Sequence, residues 1–137
     1  MACILLADDS KAIRDTLRQI FLEEGFAFCV EAVNGKEAVE EAKRVRPDIV
    51  VLAYLMPEMN GLQAAYAIRQ FAPATKIIFY SAVDSSELAA AARVMGANAF
   101  VSKAAPGEIL LALRRLVHGQ NPIGVRIAPL SDKRSKA

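Results

Sequence analysis

The chain has 137 residues and a formal net charge of +2, from 17 Lys and Arg against 15 Asp and Glu. This is the length of one domain, and so small a charge gives no reason to expect a nucleic-acid partner. Hydrophobic residues make up 54% of the chain, which excludes disorder for most of it and is typical of a compact α/β protein. The apolar runs are shorter than the roughly 20 residues of a membrane span, and no signal peptide is recognised, so we expect a cytoplasmic protein without a membrane partner.

Five apolar runs alternate with amphipathic stretches, which is typical of repeated βα units and a parallel sheet. The predicted strands lie near residues 2–7, 27–32, 48–53, 76–80 and 98–102. Cys3 and Cys29 lie inside two of these strands and are expected to be buried, reduced thiols. Asp84 is the predicted N-cap of the fourth helix, because Glu87 follows it at capping-box spacing. The other helix boundaries are predicted at Gly25, Pro47, Asn60, Gly61, Gly96 and Pro106.

The second strand, residues 27–32, is the least uniformly apolar of the long strands, so it is expected at an edge of the sheet. This favours the strand order 2-1-3-4-5. The predicted fold is therefore a flavodoxin-like, doubly wound, five-stranded parallel sheet with five helices. Residues 1–118 are assigned to this domain, and residues 119–137 are predicted to be a basic, flexible tail.

Polar residues follow the predicted strands at their carboxyl ends. Asp8 and Asp9 follow the first strand, Ser81 ends the fourth and Lys103 follows the fifth. Because such ends share one edge of a parallel sheet, these side chains are expected to meet in one crevice. Paired carboxylates can hold Mg²⁺ through oxygen ligands. Taken alone, the acidic pair and Ser10 could instead only cap the first helix.

The chain resembles the receiver domain of bacterial response regulators over about residues 2–118. The resemblance rests on the residues just named and on the segment from Pro47 to Gly61, in which a buried strand runs into a Pro/Gly loop. It implies that Mg²⁺ is bound directly by Asp9 and through water by Asp8. A further ligand implied by the family is the backbone carbonyl of Leu55.

The resemblance also implies two groups that support a phosphoryl group. Lys103 would bring its positive charge to the phosphoryl oxygens, or to the acidic cluster when no phosphoryl group is present. Ser81 would donate its hydroxyl to the phosphoryl group, in a switch coupled to Phe100, although Phe100 could equally belong to the core. Receivers commonly follow this lysine with a cis proline. Here Ala104 follows, so either the loop stores strain or the bond is trans and Lys103 points slightly differently.

The chain departs from the family at Ala53, which stands where receivers have the aspartate that takes phosphoryl from a histidine kinase. A methyl group cannot attack phosphorus or bind a metal, so no aspartyl phosphate can form there. The missing carboxylate is also expected to weaken the magnesium site. The rest of the pocket looks like that of a working receiver, which favours a phosphorylation-blocked variant; natural degeneration or repurposing is the other explanation.

The leading interpretation is a stand-alone receiver domain of a two-component or phosphorelay pathway, not an enzyme, that cannot accept phosphoryl at its usual site. Its expected partners are a histidine kinase or phosphotransfer protein, and an output protein or second receiver on the face of helix 4, strand 5 and helix 5. The alternative is a natural pseudo-receiver that binds its partner independently of phosphorylation. A nucleotide- or flavin-binding protein is disfavoured, because no Gly-rich phosphate loop follows the first strand.

Overall fold

A computed structural model of the chain describes residues 3–83 and 85–117, without the side chains of residues 27–29. Five strands and five helices alternate along these residues. The strands are β1 Cys3–Ala7, β2 Ala27–Ala32, β3 Ile49–Ala53, β4 Lys76–Ser81 and β5 Ala99–Ser102. The helices are α1 Lys11–Glu23, α2 Gly35–Val45, α3 Gly61–Phe71, α4 Ser86–Val94 and α5 Gly107–Val117. The predicted tail at residues 119–137 lies outside the described residues.

The strands form one parallel sheet in the order β2-β1-β3-β4-β5. The predicted fold class and strand order are therefore confirmed. β2 lies at an edge of this sheet and β3 at its centre, and every residue of β3 is buried. The positions of both strands follow from their sequences, since a central strand covered on both faces can be apolar throughout.

Helices cover both faces of the sheet. Side chains of a strand alternate between its faces, so neighbouring strand residues belong to two separate hydrophobic clusters. One cluster joins the sheet to α2, α3 and α4, with Leu52 and Phe79 among its buried strand residues. The other joins the sheet to α1 and α5, with Val51 and Tyr80 on its side. None of the described helices is long and apolar enough to cross a bilayer.

The loop from β3 to α3 is held close to the strand. Asn60 caps α3 in a reciprocal capping box with Gln63, which satisfies two backbone donors of the first turn. The amide of Gly61 donates to the carbonyl of Tyr54 at 2.8 Å. A Cβ atom at Gly61 would lie 2.2 Å from the carbonyl oxygen of Ala53, so only glycine fits there without movement of the chain. This contact fixes where the chain leaves β3.

Two predictions about single residues are wrong. The N-cap of α4 is Ser85, whose hydroxyl accepts from the amide of Leu88 at 3.0 Å, and not Asp84. Both serine and aspartate favour this position, so the sequence alone does not decide between neighbours. Cys3 is half-buried and disulfide-bonded, in contrast to the buried, reduced thiol that was expected.

Candidate functional site

A small cavity of about 190 Å³ lies at the carboxyl edge of the sheet. The residues that line it come from the end of β4 and from the segments that follow β1, β3, β4 and β5. They include five of the residues singled out from the sequence, namely Asp8, Asp9, Leu55, Ser81 and Lys103. The topology therefore brings these residues together, as expected for the strand ends of a doubly wound sheet.

An ion pair joins Asp8 and Lys103, two of the residues that line this cavity. The ammonium nitrogen of Lys103 lies 2.7 Å from Oδ2 of Asp8, and the two side chains are 19% and 2% exposed. The other carboxylate oxygen, Oδ1, accepts from the amide of Ser10 at 2.9 Å. Both oxygens of this buried carboxylate are thus hydrogen-bonded, and its charge is balanced within the protein.

The cap of α1 lies next to this ion pair. Ser10 is the N-cap, and its hydroxyl accepts from the amide of Ile13 at 3.3 Å. Asp8 contributes by bonding the amide of Ser10, while Asp9 is exposed and forms no ion pair with a described residue. The helix-capping explanation therefore accounts for Ser10 and leaves the Asp9 carboxylate available at the cavity.

Tyr80 is a neighbour of the site that sequence reasoning missed. The Lys103 ammonium lies 5.8 Å from the centre of the Tyr80 ring, within the range of a cation–π contact. Burial raises the pKa of the Tyr80 hydroxyl, and the negative charge of Asp8 raises it further. An aromatic residue inside an apolar strand is normally predicted to be a core residue, so the sequence offered no signal for this contact.

The bond between Lys103 and Ala104 is trans, since no cis peptide bond occurs among the described residues. Of the two alternatives raised by Ala104, the trans one therefore holds. The amide of Lys103 donates to the carbonyl of Ser81 at 2.8 Å, and the amide of Ala104 donates to the hydroxyl of Ser102 at 3.1 Å. These bonds hold the segment after β5 against the end of β4.

Ala53 is buried at the end of β3, beside Tyr80 of β4. Its methyl side chain carries no polar atom, and Ala53 is not among the described residues that line the cavity. No group of three His, Cys, Asp or Glu side chains within the described ranges is placed to hold a metal ion. Asp8 and Asp9 place two carboxylates at the cavity, and Mg²⁺ is usually bound through one or two carboxylates together with water.

Ser81 and Phe100 occupy different surroundings. The buried hydroxyl of Ser81 accepts from the amide of Val83 at 2.9 Å, which orders the start of the loop after β4. Phe100 is fully buried and stacks on Phe79, with 6.1 Å between ring centres. Phe79 in turn lies 6.4 Å from Tyr54, which lines the cavity. A row of three aromatic rings therefore connects β5 to the cavity.

Comparison with known proteins decides the family. A family model described as the response regulator receiver domain matches residues 4–114. The chain is 37% identical over 114 residues to the chemotaxis protein CheY of Thermotoga maritima, an alignment that covers 82% of this chain and 95% of that protein. The chain belongs to the response regulator receiver domain family.

Solved structures agree with this assignment to the receiver family. A two-component response regulator of the LuxR family from Aurantimonas has a TM-score of 0.86 and 29% identity, with coverage of 98% of this chain and 99% of the other. The CheX-CheY-BeF3-Mg+2 complex from Borrelia burgdorferi contains a chain with a TM-score of 0.81 and 30% identity, with coverage of 85% and 89%. The fold and the family therefore agree along most of the chain.

Proposed function

We propose that this receiver domain acts in two-component signalling without accepting a phosphoryl group at the usual position, which Ala53 occupies. The observation that carries the proposal is the cavity in which Asp8, Asp9, Ser81 and Lys103 meet beyond the strand ends. β3 is the central strand of the sheet, and it ends in a methyl group. The supporting groups of a phosphoryl site are present, while the nucleophile is missing.

In this proposal Asp9 and the Leu55 carbonyl bind Mg²⁺ directly, and Asp8 binds it through water. Bound magnesium would supply positive charge for the oxygens of a phosphate group. The ion binds weakly, for two reasons. A third carboxylate is absent at Ala53, and the Asp8 carboxylate is already paired with Lys103.

Lys103 and Ser81 are proposed to be the groups that would face a phosphoryl group. Lys103 already lies in the cavity, and its pairing with Asp8 keeps its charge there. The Ser81 hydroxyl accepts from the Val83 amide and can still donate its own proton to the ligand. Phe100 is proposed as the aromatic partner of this switch, supported by the row of rings that connects it to the cavity.

We propose that the domain works through protein contacts and not as an enzyme, in the cytoplasm. A histidine kinase or phosphotransfer protein is the proposed partner at the cavity. The proposed output surface is the face of α4, β5 and α5, which would contact an output protein or a second receiver. The Borrelia relative is named in complex with CheX, which supports a protein partner for this fold.

A second candidate is a pseudo-receiver that binds its partner constitutively. One observation favours it: the ion pair between Asp8 and Lys103 balances the charge of the cavity without any ligand. Without an acceptor at Ala53 no phosphoryl-bound state forms, so in this alternative the conformational equilibrium is set by the protein partner alone.

Intact-mass measurement of the protein and of Ala53→Asp tests the proposal. Each protein is incubated with Mg²⁺ and acetyl phosphate, from which an aspartate oxygen takes the phosphoryl group and acetate leaves. We expect one phosphoryl group on Ala53→Asp and none on the unchanged chain. Ala53→Asn is the matched control, because its amide has a similar shape but is not a nucleophile.

If Ala53→Asp also stays unmodified, the supporting groups are not competent and the pseudo-receiver becomes the better account. If the unchanged chain gains the phosphoryl mass, another residue accepts it and the proposal is wrong. Folding of each variant is checked by circular dichroism, so that a missing modification cannot be ascribed to an unfolded chain.

A further inference from the structure

A second polar cavity lies at the opposite edge of the sheet, where α3 and α4 end and where β4 and β5 begin. Its volume is about 350 Å³, and its lining includes Arg69, Lys76 and Arg93. This volume lies within the range of small-molecule sites. The described residues that line it include no Asp or Glu. Three cations thus surround one concave site without an acidic neighbour in its wall.

Arg69 forms the rigid part of this cavity. Its guanidinium donates to the carbonyl oxygens of Thr75 and Gly96, each at 2.6 Å, and to the Asn98 side chain at 3.2 Å. Gly96 has φ of +110°, and a Cβ there would lie 2.8 Å from Nε of Arg69. Glycine therefore allows the backbone turn that ends α4 and lets the arginine lie across it.

Arg93 and Lys76 are the groups that the protein's own contacts do not account for. The Nε donor of Arg93 is buried and has no hydrogen-bond partner in the described part of the chain. Neither Arg93 nor Lys76 forms an ion pair with a described residue. Both side chains line the cavity, and charged groups in partly buried positions are normally paired, so an external oxygen ligand in the cavity would supply the missing partner for these cations.

The ends of α3 and α4 work against an anion here, because a helix C-terminus carries negative partial charge. Each end is equivalent to roughly half a negative charge. Arg69 and Arg93 lie in the last turns of these two helices, and Lys76 adds a third positive charge from β4. The helix ends therefore offset only part of the positive charge, and the cavity keeps a positive potential.

We propose that this cavity binds a phosphate group. Arg93 offers a planar fork and Lys76 a point charge, a combination suited to an oxyanion with several acceptor oxygens. A carboxylate has only two oxygens and a single charge, so it matches these cations less well. Pro73 and Val94 are exposed apolar residues in the lining and would contact the body of an organic phosphate.

This site does not depend on Ala53 or on the cavity at the carboxyl edge of the sheet, which Asp8 and Asp9 line. The lining residues come from the ends of α3 and α4 and the starts of β4 and β5, so a bound phosphate would tie these four segments together. α4 belongs to the proposed output surface. A phosphate-bearing metabolite bound here would therefore act on that surface from the sheet edge opposite to the cavity of Asp8 and Asp9.

The test is an NMR titration of the ¹⁵N-labelled full chain with inorganic phosphate and, separately, with glycerol 3-phosphate at constant ionic strength. We expect saturable shifts of the amides of Lys76, Gly96 and Asn98. Arg93→Gln and Lys76→Gln should each weaken binding about tenfold, as expected for loss of one charge-assisted contact. Tighter binding of the ester identifies an organic phosphate, and equal binding identifies the free anion.

Two variants provide matched controls for the change in charge. Arg115→Gln removes an arginine from the last turn of α5, and Lys36→Gln removes an exposed lysine of α2. Both should bind phosphate as the unchanged chain does. Shifts that do not saturate, equal shifts with acetate, or equal weakening in the control variants would overturn the proposal.

Discussion

The ion pair between Asp8 and Lys103 gives the sharpest prediction about stability. Lys103→Met keeps most of the side-chain volume and removes the ammonium that lies 2.7 Å from the buried Asp8 carboxylate. The carboxylate then retains only its bond from the Ser10 amide among the contacts described. An uncompensated buried charge is left behind, and this is the costly way to break such a pair.

The magnitude follows from the burial of the two partners. Removing one member of a fully buried pair costs about 3–5 kcal/mol of unfolding free energy. The Lys103 side chain is 19% exposed, and the carboxylate faces a cavity that admits water, so the lower part of this range applies. Loss of the contact with the Tyr80 ring adds about 0.5–1 kcal/mol. We expect a total loss of about 4 kcal/mol.

Urea denaturation followed by circular dichroism measures this loss. With a slope of about 1–3 kcal/mol per molar urea, the midpoint should fall by at least roughly 1 M. Added Mg²⁺ should restore part of the loss, because a cation near Asp9 replaces some of the missing charge. Lys36→Met, at an exposed lysine, is the control and should change the unfolding free energy by less than about 0.5 kcal/mol. A loss in Lys103→Met no larger than in this control would refute the reasoning.

Three further changes test other parts of the structure. Because the pKa of Tyr80 is raised in the folded protein, its contribution to stability is complete below pH 10 and is lost as the pH rises through the folded-state pKa. Tyr80→Phe should therefore flatten the fall in melting temperature at alkaline pH. Tyr66→Phe, at an exposed site, should not. Asn60→Ala should cost about 1 kcal/mol in urea denaturation, through loss of the α3 cap, and Asn60→Gly clearly less; equal losses would contradict this. Gly61→Ala should cost about 1–3 kcal/mol, because its Cβ meets the Ala53 carbonyl, and an unchanged midpoint would show that the loop can move.

Much of the fold was predictable because its signals are local or periodic. The apolar run that forms β3 and the mixed composition of β2 were sufficient to predict a central and an edge strand. Convergence of Asp8, Ser81 and Lys103 followed from topology, since each lies at or just after the carboxyl end of a parallel strand. Their roles toward magnesium and phosphoryl groups rest on the family resemblance and stay predictions.

The rest depended on contacts that no local pattern reveals. Tyr80 lies in β4 and contacts Lys103, which follows β5. Its place in the apolar run of β4 does not differ from that of a core residue, so the sequence does not reveal this contact. Neighbouring residues 84 and 85 both suit an N-cap, and only the backbone geometry shows that Ser85 fills this role. The cavity lined by Arg69, Lys76 and Arg93 arises because α3 and α4 end close to each other in the tertiary structure. There Arg69 contacts Gly96, which lies 27 residues later in the sequence.

The most direct test of the central claim is an NMR titration of the protein and of Ala53→Asp with Mg²⁺ followed by beryllofluoride, which binds an aspartate oxygen and mimics a phosphoryl group. If a single carboxylate is missing from an otherwise complete site, beryllofluoride shifts the amides of Ser81 and Lys103 in Ala53→Asp and leaves them unchanged in the original chain. The same amides remaining unshifted in both proteins would contradict the central claim.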